Sequence, residues 1–81
     1  MGWYVYILRC GDGSLYTGIT PDVEKRLAQH NAGTGAKYTR GRGPLTLVHT
    51  EEFANRAEAS RREYAIKQLT KQEKEALIAQ K

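Results

Sequence analysis

The sequence of 81 residues is short of several things. It holds one cysteine, Cys10, which excludes an internal disulfide and a cysteine zinc cluster and fits a reducing compartment. No apolar run approaches the roughly 20 residues that cross a bilayer. The N-terminus lacks the basic region and long apolar stretch of a secretory signal. These absences lead to the expectation of a cytoplasmic protein with no membrane partner. No repeat, linker or low-complexity tail interrupts the chain, so a single domain over residues 1–81 is expected. One more absence is local. No acidic residue stands between Lys25 and Thr50, although the stretch carries Lys25, Arg26, Lys37, Arg40 and Arg42. With a formal net charge of +4, such a block favours a polyanionic partner, nucleic acid first. Charge alone weighs this evenly against a merely solvated surface.

What is present reads as alternating elements. Residues 3–10, WYVYILRC, are rich in aromatic and branched side chains and read as a strand, and residues 14–19, SLYTGI, as a second. The GDG between them marks a β-hairpin. A two-residue Asp12-Gly13 turn would send Tyr6 and Tyr16 to opposite faces. A three-residue Gly11-Asp12-Gly13 loop with Gly13 left-handed would put Tyr4, Tyr6, Tyr16 and Gly18 on one face. Local rules leave both registers open.

The segment TPDVEKRLAQHNAG reads as a helix, with Thr20 as N-cap, Pro21 in the first helical position, Asp22 complementing the dipole and Gly33 as the stop. Residues 33–44 form a glycine-rich loop carrying Lys37, Tyr38, Arg40 and Arg42. LTLVHTEEF reads as a third strand. Asn55 with Glu58, and Thr70 with Glu73, start two further helices through capping boxes. The order β-β-α-β-α-α predicts an α+β fold, a small, three-stranded, mainly antiparallel sheet flanked by helices.

Three polar residues sit on stripes that burial should make apolar. Arg26 and His30 share a stripe with Val23 and Leu27, and Glu63 lies between Ala59 and Ile66. Singly, each has an ordinary explanation: a snorkelling arginine, a histidine at a helix C-terminus, a Glu63–Lys67 surface pair. Together with two tyrosines they make a phosphodiester-cleaving set.

At these residues the sequence resembles the GIY-YIG nuclease superfamily, in particular its small stand-alone bacterial members. The first motif stands as Tyr4-Val5-Tyr6 and the second as Tyr16-Thr17-Gly18; Arg26 follows ten residues after Tyr16, His30 one turn later, and Glu63 precedes an Ile66-Lys67 pair. The resemblance spans Trp3 to Leu69. It implies that Tyr6 and Tyr16 line one face, and so the even-paired hairpin. It implies a metal-dependent endonuclease. Glu63 would hold one divalent ion, Mg²⁺, with no small-molecule cofactor besides it. Tyr6, Tyr16 or His30 would take the proton from the attacking water. Arg26 would stabilise phosphoryl charge, and Gly18 would let backbone approach the phosphate. Lys37, Arg40 and Arg42 would contact the nucleic-acid backbone, and Tyr38 would stack on an unpaired base. The expected substrate is DNA rather than RNA, cut with low sequence specificity, in repair or processing of nicked, branched or single-stranded forms. A non-catalytic nucleic-acid-binding module is the alternative. Departures from the family pattern are Tyr4 for glycine, Thr17 for isoleucine, Ile19 where some members have lysine, and no asparagine after Glu63. The last two imply slow or loosely selective cleavage.

Overall fold

The computed structural model describes residues 2–80. The chain forms β1 (Trp3–Arg9), β2 (Leu15–Thr20), α1 (Val23–Asn31), a 3₁₀ turn (Lys37–Thr39), β3 (Thr46–Phe53), α2 (Arg56–Lys67) and α3 (Lys71–Ala79). The strands make one antiparallel sheet in the order β2-β1-β3. This is the α+β architecture expected from the element order.

The hairpin adopts the even-paired register. Tyr6 lies opposite Gly18, and Leu8 opposite Tyr16. The amide of Cys10 donates to the Ser14 carbonyl at 2.8 Å and that of Gly13 to the Cys10 carbonyl at 2.9 Å. Gly13 sits at φ +87°, in the left-handed region a three-residue loop needs and glycine enters without strain. Asp12 braces the turn by accepting from the amide and hydroxyl of Ser14. On the other side of β1 the register slips by one residue between Ile7 and Leu8, which face His49 and Leu47 and leave Val48 as an extra residue in β3.

Because strand side chains alternate, β1 feeds two cores. Val5 and Ile7 pack with Ala59 and Ile66 of α2 and with Leu77 and Ile78 of α3. Tyr6, Leu8 and Cys10 point the other way, with Leu45, Tyr16 and Leu27 of α1. The face under α1 and the glycine-rich loop is therefore the one that carries Tyr6 and Tyr16. Helix α3 is held down by a two-pronged Arg9–Glu75 pair, at 2.6 and 2.7 Å, whose fork geometry suits a carboxylate.

Helix starts follow the side-chain chemistry, with one correction. Thr70 and Glu73 form the expected capping box, and the Asn55 side chain accepts from the Glu58 amide. Glu58 reaches back to the amide of Ala54 rather than that of Asn55. At α1 the N-cap is Asp22, which accepts from the Lys25 amide at 3.1 Å, not Thr20. Thr20 is still paired in β2, opposite Tyr4, and its hydroxyl accepts from the Asp22 amide. Replacing Asp22 by Ala should cost about 1 kcal/mol of stability, while Asn restores it. Urea unfolding curves of the two variants measure this directly, and equal midpoints for wild type and Asp22→Ala would remove the cap assignment.

Candidate nuclease site on the hairpin face

Tyr6 leaves β1 and lays its ring across Gly18 of the neighbouring strand. A side chain at Gly18 would begin 2.6 Å from the Tyr6 hydroxyl, closer than carbon and oxygen can approach. The bare backbone of Gly18 thus admits the phenol and lets it reach over β2, the outer strand of the sheet on that side. This close approach to Tyr6 accounts for Gly18 without reference to a phosphate.

The hydroxyl meets the imidazole of His30, delivered by the last turn of α1, with Tyr6 Oη and His30 Nε2 2.8 Å apart. Both residues are about 2% exposed, so their polar atoms depend on each other. The far nitrogen, Nδ1, is 2.9 Å from the Thr39 hydroxyl oxygen, and Thr39 donates its own proton to the Ala36 carbonyl at 2.9 Å. With that proton committed, Thr39 accepts from Nδ1–H. The network thereby assigns the imidazole proton to Nδ1 and leaves the Nε2 lone pair to accept from Tyr6. The Ala36 N–H also points at Nδ1, at a longer 3.4 Å, a weaker contact that the Nδ1–H tautomer forgoes for the 2.9 Å bond to Thr39. Gly35 makes room for this arrangement, since a side chain there would begin 2.4 Å from Nδ1.

The electrostatics agree with that proton placement. Burial pushes the Tyr6 phenol up to about 12, only partly opposed by the nearby Arg26 guanidinium. Burial, and then the charge of Arg26, lower the pKa of His30 below its usual 6.5. Around neutral pH the pair is a protonated phenol donating to a neutral imidazole.

Other site residues gather on this pair. The Tyr16 ring lies edge-on to His30 with centroids 5.2 Å apart and stands 6.2 Å from that of Tyr6. Tyr38 from the glycine-rich loop stacks on Tyr16 at 5.8 Å. Arg26 hydrogen bonds to Gln29 and borders an open cavity of about 500 Å³ with Lys25 and Arg56 among its walls. Tyr6, Tyr16, Arg26, His30 and Tyr38 are therefore brought together from four segments distant in sequence.

Glu63 is placed differently. It is partly buried on α2, and its ion-pair partner is Lys67, 3.3 Å away. Among the described residues no hydrogen bond joins it to Tyr6, Tyr16, Arg26 or His30. Its helix nevertheless follows the edge of β2. Arg56, near the start of α2, borders the Arg26 cavity with Ile19 and Thr20. Lys67, at its end, lines a second opening with Tyr16 and Thr17. Glu63 stands on the stretch of helix between them.

The loop cations divide. Arg42 is engaged within the chain: it pairs with Asp12 at 2.5 Å, donates to the Tyr38 carbonyl and lies 4.4 Å above the Tyr38 ring. The hydrogen bonds from Ser14, and then Arg42, hold the Asp12 carboxyl down at about 2. The Tyr38 ring is thus already in contact with Tyr16 and Arg42. Lys37 and Arg40 are exposed, without an ion pair among the described residues. Sequence patterns passed over Thr39 and Gly35. Both lie in an irregular loop, where no periodicity marks which residue turns inward.

Two phenols, an imidazole and a guanidinium meet on one face of a small sheet, and the Glu63 carboxylate stands on α2, which packs against the other face. Residues 2–76 match the GIY-YIG catalytic domain, and the chain belongs to that nuclease family. A UPF0213 protein of Halobacterium salinarum is 62% identical over 75 residues, covering 93% of this chain and 97% of its own length. One from Clostridium perfringens is 60% identical over 78 residues, covering 96% and 84%. The solution NMR structure of a UPF0213 protein from Bacillus halodurans matches with a TM-score of 0.63 at 54% identity, over 98% of this chain and 84% of that one.

Thr39→Val should leave the Nδ1–H buried without an acceptor and cost about 1–3 kcal/mol. Thr39→Ser should restore both stability and the tautomer, which the ¹⁵N shifts of His30 report. A wild-type ring protonated on Nε2 would refute the assignment. The two shifts also set opposite pH limits on stability. The His30 pKa is lower in the folded chain, so its contribution is complete above pH 6.5 and falls as acid protonates the ring. The Tyr6 pKa is higher when folded, so its contribution is complete below pH 10 and is lost between 10 and about 12. Melting temperature followed against pH should decline on both sides, and Tyr6→Phe should flatten the alkaline decline.

Proposed function

We propose that the protein is a magnesium-dependent endonuclease that hydrolyses DNA with low sequence specificity, acting on nicked, branched or single-stranded forms in repair or processing. The observation that carries this reading is the buried 2.8 Å contact of Tyr6 with a neutral His30. A phenol whose pKa is about 12 is a poor base by itself. Paired with an imidazole that has an open lone pair, it becomes a relay. The Tyr6 oxygen accepts a proton from the attacking water as its own proton passes to His30 Nε2. The water oxygen bonds to phosphorus, the bond to the leaving oxygen breaks, and that oxygen is protonated from solvent. Arg26, charged and bordering the open cavity, balances the negative charge that grows on the phosphoryl oxygens.

The residues fit a magnesium ion. Among the described residues no three His, Cys, Asp or Glu side chains gather into a metal cage. Magnesium does not need one, because it keeps several waters and binds through one or two carboxylates plus substrate phosphate. Glu63, partly buried on α2, would hold it. There it would supply charge neutralisation at the phosphate and the leaving oxygen. Lys67, now on that carboxylate, would be displaced toward the groove beside Tyr16.

Incubation of supercoiled plasmid and of branched DNA with Mg²⁺ tests the reading. Wild type should nick or cut. Tyr6→Phe should lose about 10²–10⁴ in rate and Arg26→Ala about 10²–10³, and Glu63→Ala or chelation should abolish cleavage. The rate should rise with pH only below about 6.5, where His30 loses its proton, and then hold level. Binding without cleavage in every protein would instead make it a nucleic-acid-binding module, and cleavage that survives Glu63→Ala would remove the metal ligand.

A further inference from the structure

Three lysines stand near β2 at the end away from the Arg26 cavity. Lys67 and Lys74 line a groove of about 310 Å³ whose other walls are Leu15, Tyr16, Thr17 and Tyr38. The Lys71 ammonium stands 3.9 Å from where a side chain on Gly13 would begin, at the tip of the same hairpin. The three cations thus accompany the hairpin from its turn at Gly13 to Thr17. At a strand rise of about 3.3 Å per residue this row covers roughly 13 Å. No acidic side chain lines the groove. Among the described residues Lys71 and Lys74 have no ion-pair partner, and Lys67 has only Glu63.

Lys67 pairs with Glu63, and Lys71 stands near enough to Glu75 to help lower its pKa, but neither contact accounts for the alignment of the row along the groove. α3 is fastened by Arg9–Glu75 and by Leu77 and Ile78 in the core, and neither Lys71 nor Lys74 supplies an ion pair there. Ammonium groups spaced along an edge strand, ending at a motif tyrosine, suit a chain of phosphates. The exposed part of the Tyr16–Tyr38 stack adds an aromatic wall against which unpaired bases can pack whatever their identity. We propose that this groove is a phosphate track that holds a single-stranded nucleic-acid segment on one side of the cleavage point, with Lys71, Lys74 and Lys67 each facing the backbone. The proposal rests on the nuclease reading above. It adds a binding arm on α3, a helix that contributes nothing to the Tyr6–His30 centre.

The test is equilibrium binding of a fluorescent single-stranded DNA oligonucleotide from about 50 to 200 mM salt. Each phosphate deprived of its lysine should reduce the slope of log affinity against log salt by about 0.7. Lys71→Ala and Lys74→Ala should each lower the slope by that amount, and the double variant by about 1.4. Arg61, exposed on α2 and absent from the groove, serves as the control of equal charge. Arg61→Ala should keep the wild-type slope. If Arg61→Ala lowers the slope as much as either lysine variant, the attraction is diffuse and the track is refuted. If wild type binds and cuts but the double variant binds with an unchanged slope, the track alone is refuted. If wild type neither binds nor cuts nucleic acid, the nuclease reading falls and the track with it. Lys71→Gln and Lys74→Gln keep the aliphatic stems and should give the same drop in slope, which separates the effect of charge from that of packing.

Discussion

Tyr6 and His30 share a hydrogen bond at the interface between sheet and helix, where each is about 2% exposed. Leaving one such buried group unpaired costs about 1–3 kcal/mol, a large share of the stability available to so small a domain. That cost constrains much of the fold around it. Gly18 must be bare for the phenol to cross β2, and Gly35 must be bare for the imidazole to sit under the loop. α1 must end with His30 facing the sheet, and the loop after it must bring Thr39 back to Nδ1. The 3₁₀ turn at Lys37–Thr39 serves this return, and Thr39 is buried in it.

The same burial that makes the pair costly to break sets its proton inventory. Removing water raises the phenol and lowers the imidazole, and Arg26 pulls both downward without reversing the first. A protonated donor thus faces a neutral acceptor. The charged groups lie outside this buried pair, toward the two ends of β2: Arg26 with Lys25 and Arg56 at one, and Lys67 with Lys74 at the other. Glu63 lies on the helix that joins the two openings.

Much of this is legible in the chain itself, and the unreadable parts share a cause. The strands and helices appear with small shifts at their ends, because apolar periodicity and capping residues act over a few positions. The polar interruptions at Arg26, His30 and Glu63 are visible because each breaks an otherwise apolar stripe. Thr20 reads as a cap because a threonine before Pro-Asp satisfies the local rule, whereas pairing with Tyr4 keeps it in the sheet and hands the cap to Asp22. The row of lysines is invisible for a similar reason. Positions 67, 71 and 74 belong to two helices, and only the packing of α3 on β1 sets them along one strand edge.

By itself the amino-acid sequence determined the element order, the hairpin, two of the three helix caps, the basic character of the middle third and the residue types at the site. These depend on contacts between near neighbours, which short stretches of chain specify. The tertiary structure alone decided which nitrogen of His30 carries the proton and why Gly18 and Gly35 lack side chains. It decided that Arg42 belongs to Asp12 and Tyr38, and that Glu63 stands between two cation-lined openings. Each of these is set by contacts that no periodicity or cap rule specifies, and that form only once the sheet, the helices and the loop have packed.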